Sequence, residues 1–280
     1  MANGVQVLNS ESNTVANAAT HNALIHNARI VDQFTRQAAT FEQRHAHTDP
    51  LERMLRLAGV TADDTVLDLG CGPGIVSCAF AEKANHVTGL DLAPAMLERG
   101  KARQAERSLT NMAWVCGDVA KLPFADNSFS IVVTRYTFHH FLSPADVLAE
   151  MKRLCRPGGR VVVADVTPEV EKLAAYDQFE TLRDPSHAHA LSQAQLKALF
   201  EQANLQPFEL DSFGLEMNFE DLMSGSFPNP DDAEKVWQLV RNDAGKDSIG
   251  LNAHLKDGKY VVSFPTTIIA ATKAAREGKQ

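Results

Sequence analysis

Between Thr65 and Asp165 five short apolar runs alternate with helical segments, and that alternation restricts the chain more than any other feature. The runs are Thr65–Leu69, His86–Leu90, Met112–Cys116, Phe129–Thr134 and Arg160–Asp165. Short, nearly continuous apolar runs of this kind mark strands buried on both faces of a parallel sheet. The intervening segments Ile75–Lys83, Pro94–Arg107 and Pro144–Leu154 read as helices, the last capped by Ser143 and stopped near Pro157-Gly158-Gly159. Strand–helix alternation predicts an α/β fold with a doubly wound sheet.

The flanks add to this core. Residues 1–28 are rich in Asn, Ala, Thr, Ser and His with little apolar periodicity, and read as a mobile tail or a frayed helix. Ile30, Val31, Phe34, Ala38 and Phe41 then recur at helical spacing, and a second helix runs from the cap Asp49 to Gly59. Downstream, Ser192 and Gln195 form a capping-box pattern ahead of a helix, a strand is expected at Pro207–Phe213, and another at Tyr260–Thr272. The connection between those two strands exceeds ordinary loop length and holds a helical stretch at Asp231–Arg241, so residues 215–257 are expected to form a functional insertion or lid. The expected architecture is α/β and Rossmann-like: a mostly parallel sheet with a C-terminal antiparallel strand, N-terminal helices and that lid. Its core comprises 29–214 and 258–280.

Composition narrows the partners. A net charge of -8, with no Lys/Arg stripe to reverse it locally, opposes binding to a phosphate backbone, which leaves a small molecule as the expected partner. Cys71, Cys78, Cys116 and Cys155 form neither a C-x-x-C pair nor a secreted framework, so free thiols are expected. No apolar stretch approaches the roughly 18 residues of a membrane span, and the N-terminus lacks a basic region followed by an apolar core. A cytoplasmic location is the resulting expectation.

Ligands of open parallel sheets bind beyond the carboxyl ends of the strands. The loop Asp68-Leu69-Gly70-Cys71-Gly72-Pro73-Gly74 falls there, and glycines let a backbone turn tightly and approach a ligand closely. Asp91 ends the second strand, where a carboxylate can accept two hydrogen bonds from a ribose diol; its plainer role is a helix cap. Asp118, in Gly117-Asp118-Val119 at the end of the third strand, supplies a second acceptor placed for an adenine amino group. The loop is Gly-x-Gly-Pro-Gly, shorter than the Gly-x-Gly-x-x-Gly that seats a pyrophosphate. Both features favour S-adenosylmethionine over a dinucleotide. Asp68 is expected to orient the loop through hydrogen bonds, and Cys71 to be a small loop residue rather than a nucleophile.

The run Val66–Gly74 resembles the first cofactor motif of class I S-adenosylmethionine-dependent methyltransferases. Val87–Leu97, Gly117–Phe124 and Leu154–Arg160 are similar to that family's later motifs, in order, and the likeness is greatest to the small-molecule group that includes ubiquinone and menaquinone biosynthesis methyltransferases. The resemblance implies that Gly70 and Gly72 pack on the methionine part of the cofactor, Asp91 binds ribose, Leu92 and Met96 flank adenine, and Asp118 and Val119 contact its other edge. It also implies that Arg135 lines the methionine pocket and that Phe41, where the family commonly has Tyr, helps the segment from Phe34 close over the cofactor.

A sulfonium methyl is already activated, so catalysis reduces largely to aligning an acceptor and excluding water. Where the acceptor must lose a proton, His139 and His140, just past the fourth strand, are the candidate bases. Each has a plainer reading, as a helix cap or a buried ring on a backbone partner. His45 with His47, and His187 with His189, lack a carboxylate or cysteine to complete a ligand set, so no metal is expected. The expected reaction is methyl transfer to O, C or N of a small, aromatic metabolite. The alternatives are a non-catalytic cofactor-binding module and a dinucleotide oxidoreductase, the latter resting on Gly70, Gly72 and Asp91 alone.

Overall fold

The computed structural model describes residues 5–38, 48–120 and 122–275, with the side chains of 5–19 and 48–49 left out; Phe41, His45 and His47 lie outside it. Among the described residues an eight-stranded sheet carries helices on both faces. Its strands are β1 (Thr65–Leu69), β2 (His86–Asp91), β3 (Met112–Cys116), β4 (Phe129–Arg135), β5 (Cys155–Val166), β6 (Phe208–Asn218), β7 (His254–Lys256) and β8 (Lys259–Thr272). The order is β3-β2-β1-β4-β5-β8-β6, with β7 paired to β8. From β3 to β5 every pairing is parallel, while β8 runs antiparallel to both β5 and β6. Strand order therefore changes direction between β1 and β4, with β2 and β3 laid out on one side and β5 on the other, the point at which open parallel sheets bind ligands beyond the carboxyl ends of their strands.

Two apolar layers hold the sheet. On one face Val147, Leu148, Met151 and Leu154 of α5 (Pro144–Leu154), with Leu196 and Phe200 of α7 (Gln193–Gln202), pack on Leu67, Leu69, Val132 and Val163. On the other, Met54 and Leu57 of α2 (Thr48–Ala58), with Val76 and Phe80 of α3 (Ile75–Ala81), pack on Val66, Val87, Ile131 and Val162. Alternate residues of one strand thus face opposite layers, the period-two geometry of extended chain. The Ser192–Gln195 capping box expected for α7 is present in both directions. α4 (Pro94–Glu106) follows β2 with Pro at its start.

Residues 5–28, read from the sequence as a mobile tail or a frayed helix, form one continuous helix with 29–38: α1 (Val5–Ala38). Its contact face mixes polar and apolar residues, so an apolar period misses it. Ala23, His26, Asn27, Ile30, Phe34 and Ala38 recur at three- and four-residue steps, one stripe of a helix. The connection expected at 215–257 carries the end of β6, then α8 (Phe219–Ser224), α9 (Ala233–Asp243) and β7. With α6 (Leu173–Arg183) these helices build a third apolar cluster of Tyr176, Phe179, Phe219, Leu222, Val236 and Val240 against Val262 and Phe264.

Candidate functional site

The carboxyl ends of β1, β2 and β4 open into a cavity of about 610 Å³, roofed by α1 through Ala23, His26, Asn27, Ile30 and Phe34. That volume falls in the range of small-molecule sites. Of the residues singled out from the sequence, Asp68, Gly70, Cys71, Gly72, Asp91, Leu92, Met96, Asp118, Val119, Arg135 and His140 line it. Gly117 and His139 do not. Gly117 instead donates its N–H to Asp91 O at 3.0 Å, extending the β2–β3 ladder by one rung.

Two glycines of the loop after β1 have distinct reasons to lack a side chain. A Cβ on Gly70 (φ 64°) would stand 2.4 Å from Thr137 Cγ2, so the space is already taken by protein. At Gly72 (φ 52°) a Cβ would meet nothing within 4 Å; there bare backbone faces open space, as a cradle for a ligand requires. The Cys71 N–H reaches Leu90 O at 2.9 Å, and burial, then the nearby Asp68 and Asp91, push its thiol far up, which suits a packing residue rather than a nucleophile.

Asp68 is 1% exposed and accepts the Ser77 hydroxyl at 2.6 Å, which ties the loop to the first turn of α3. Burial raises its carboxyl to about 7, against the pull of that hydroxyl and of Arg135. Asp91 accepts the N–H of Gly72 and of Ala93, each at 2.8 Å and each on a different oxygen. The Leu92 N–H also bears on this carboxylate, so backbone donors fix Asp91 at the end of β2. Asp118 Oδ2 accepts Asn27 Nδ2 at 2.7 Å, so a side chain from α1 closes the cavity beside β3.

Arg135 leaves the end of β4 with its guanidinium carbon 5.4 Å from the centre of the Tyr136 ring, and no described residue hydrogen-bonds it. The buried Asp68 carboxylate acts on this guanidinium through space, so the two groups together set the charge at this part of the cavity. Tyr136 itself sits at φ 54°, a region costly for a bulky side chain, and begins the turn that carries both histidines.

The histidines part company here. His140 is 5% exposed, lies edge-on to Phe34, and donates Nδ1–H to Ser186 O at 2.9 Å. A carbonyl can only accept, so the ring's Nε2 carries the lone pair. Burial, then the neighbouring His139, push this imidazole down to about 4, so it stays neutral. His139 donates Nδ1–H to Asp165 Oδ1 at 2.6 Å. Burial opposes its charge, yet Asp165 outweighs burial and holds the ring above the ordinary histidine range. His187, set aside as a metal ligand, bonds Asp177 at 2.7 Å, and no group of three ligating side chains occurs among the described residues.

Sequence reasoning missed His26, Asn27 and Asp165. Asp165 had a visible signal, since it lies at or near the end of its strand as Asp68 and Asp91 do; the α1 residues had none, being polar side chains in an unpatterned stretch.

A crevice-bound loop, two strand-end acids and an open glycine cradle suit an adenosyl amino acid, and comparison decides the matter. Residues 67–163 match the family described as "Methyltransferase domain". The chain is 29% identical over 181 residues to the uncharacterized methyltransferase YcgJ of Bacillus subtilis, covering 64% of this chain and 72% of that protein. It is 34% identical over 133 residues to the ubiquinone/menaquinone biosynthesis C-methyltransferase UbiE of Roseobacter denitrificans, 46% of this chain and 53% of the relative. This protein is a class I S-adenosylmethionine-dependent methyltransferase.

The methyltransferase shares its fold with the crystal structure of Bacillus subtilis YcgJ, at a TM-score of 0.74 and 23% identity, over 81% of this chain and 99% of that one. Geranyl diphosphate C-methyltransferase from Streptomyces coelicolor, solved with S-adenosyl-L-homocysteine, matches at a TM-score of 0.57 and 16% identity, over 81% and 76%. S-adenosylmethionine is the cofactor. Neither the oxidoreductase nor the non-catalytic module finds support in these matches. Among the described residues no helix is long and apolar enough to cross a membrane.

Proposed function

We propose that this methyltransferase acts on a small aromatic acceptor, delivering a methyl group to an oxygen, carbon or nitrogen of its ring system. The observation that carries the reading is the cavity's division: acids and a lone cation at the loop end, then an apolar wall of Ile30, Phe34, Phe141 and Leu142 with His140 set into it. The UbiE relative, a quinone C-methyltransferase by name, favours a hydroxylated ring methylated on carbon.

In this reading Asp91 takes the ribose diol, while Leu92, Met96 and Val119 enclose adenine. Asp118 accepts the adenine amino group beside or in place of Asn27. Arg135 takes the methionine carboxylate, and Gly72 lets that amino acid lie against bare backbone. When bound, the cofactor supplies a methyl group activated by its sulfonium. The protein does the rest: α1 excludes water, the apolar wall aligns the ring, and His140 Nε2 receives the proton an acidic hydroxyl gives up. The segment 215–257 backs that α1 roof rather than covering the acceptor itself, through Phe227 O accepting Gln33 of α1 at 3.1 Å. The acidic net charge supports a small molecule over nucleic acid, and free thiols at Cys71, Cys78, Cys116 and Cys155 support a reducing, cytoplasmic setting.

Incubating the protein with methyl-labelled cofactor and a metabolite extract should move label into a small aromatic product, and His140→Gln should slow this about 100-fold. Tight cofactor binding without transfer across broad extracts would contradict the reading.

A further inference from the structure

Asp165, one residue before the end of β5, lies next to the two histidines. Its carboxylate is 3% exposed and collects four donors. Oδ2 accepts the N–H of Phe138 at 2.6 Å and of Thr137 at 3.1 Å; Oδ1 accepts the Val166 N–H at 2.7 Å and His139 Nδ1–H at 2.6 Å. Three of the four come from the turn after β4. That turn starts at the strained Tyr136 and includes Thr137, the side chain that fills the space beside Gly70. It ends at His140, in the cavity wall. A strained turn persists only where its surroundings over-determine it, and a buried carboxylate with four donors does so.

We propose that Asp165 is a positioning residue: it clamps the Tyr136–His140 turn so that Thr137 supports the cofactor loop at Gly70 and His140 presents Nε2 to the acceptor. The proposal rests on the reading that His140 serves the acceptor. Around the clamp, His139 faces Asp165 from β5, Glu180 from α6, Asp184 beyond α6, and the rings of His140 and His187. His140 faces His139, Asp184, Ser186 and His187, with Phe34 and His26 of α1 against it. Glu180 is paired to Arg183, and Asp184 accepts Gln37 of α1 and Ser186. Asp165 is therefore the carboxylate bonded directly to His139. Neutralising it removes that ring's bonded counter-charge and, in turn, weakens the His139 charge that, second to burial, opposes protonation of His140.

The test reads the imidazole rings by long-range nitrogen–proton correlation spectra of the free protein, assigned with His139→Gln and His140→Gln, and S-adenosylhomocysteine binding by calorimetry. In Asp165→Asn the His139 midpoint should fall by about one pH unit or more and that of His140 should rise, with affinity for S-adenosylhomocysteine reduced several-fold as the Gly70 support loosens. Unchanged ring titrations with native affinity would overturn the proposal. Should Asp165→Asn not fold, the wild-type spectrum decides. A His139 that titrates above the ordinary histidine range, with a far-downfield Nδ1 proton and slow exchange at the Phe138 amide, is expected; a freely titrating, ordinary His139 overturns the clamp. These spectra need no acceptor, so they stand apart from the transfer assay.

Discussion

On one side of β4 the strands β1, β2 and β3 are five or six residues long and stop at the cavity; on the other, β5, β8 and β6 run 12, 14 and 11 residues. The short strands each deliver one carboxylate at or near the carboxyl end, Asp68, Asp91 and, just beyond, Asp118, to the cavity wall. The long strands overrun the core and become a platform for α6, α8 and α9, whose aromatic cluster never touches the cofactor loop. Cofactor chemistry constrains a handful of residues at fixed offsets, whereas a platform needs only apolar bulk in the right register. The first region should thus be sensitive in binding and the second in stability.

The largest expected effect sharpens that contrast from the platform side. Phe219 is fully buried and lies edge-on to Trp237 at 4.6 Å, so Phe219→Ala should destabilise the fold by about 4 kcal/mol, seen in denaturant unfolding. Affinity of the folded fraction for S-adenosylhomocysteine should change less than about threefold. A parallel loss of affinity would break the division between the regions. Next, Asp91→Ala should weaken S-adenosylhomocysteine binding about 100-fold in calorimetry, through lost ribose bonds and two loop N–H groups set adrift. Gly72→Ala places a methyl in open space at positive φ and should lower affinity about tenfold, through backbone strain and intrusion on the ligand.

The smallest effect is one of pH. Asp68, raised to about 7 by burial, is largely protonated in the free protein below that pH. A cationic cofactor favours the ionised form, so its affinity should climb about threefold as pH rises from 6 to 8, and Asp68→Asn should flatten the slope. Stability moves the other way. Asp68 contributes fully below its unfolded pKa near 3.8 and loses that contribution as pH rises through about 7. His140, pushed down to about 4, opposes it by withdrawing stability as pH falls from the ordinary histidine range towards 4.

The same division governs what the sequence discloses. Thr65–Asp165 was legible because buried parallel strands are apolar throughout and because ligand geometry repeats the same acids and glycines at the same offsets. β6 was expected to end at Phe213 but continues to Asn218, since an edge strand exposed on one face mixes polar and apolar residues and shows no clear boundary. The part of α1 before residue 28 showed no apolar period for a related reason: His26 and Asn27 face inward to bond His140 O and Asp118, so its buried stripe is partly polar. Gly70 lines the cavity, and the space its own Cβ would need is filled by Thr137, a contact between residues 67 positions apart that no local pattern encodes. His139 and His140 look equivalent in sequence, and only their partners Asp165 and Ser186 separate them.

Calorimetric titration of the intact protein with S-adenosylhomocysteine and, separately, with nicotinamide adenine dinucleotide bears most directly on the cavity's assignment. One saturable site for S-adenosylhomocysteine, lost in Asp91→Ala, with no heat from the dinucleotide, is the predicted result. Binding of the dinucleotide with indifference to S-adenosylhomocysteine would contradict it.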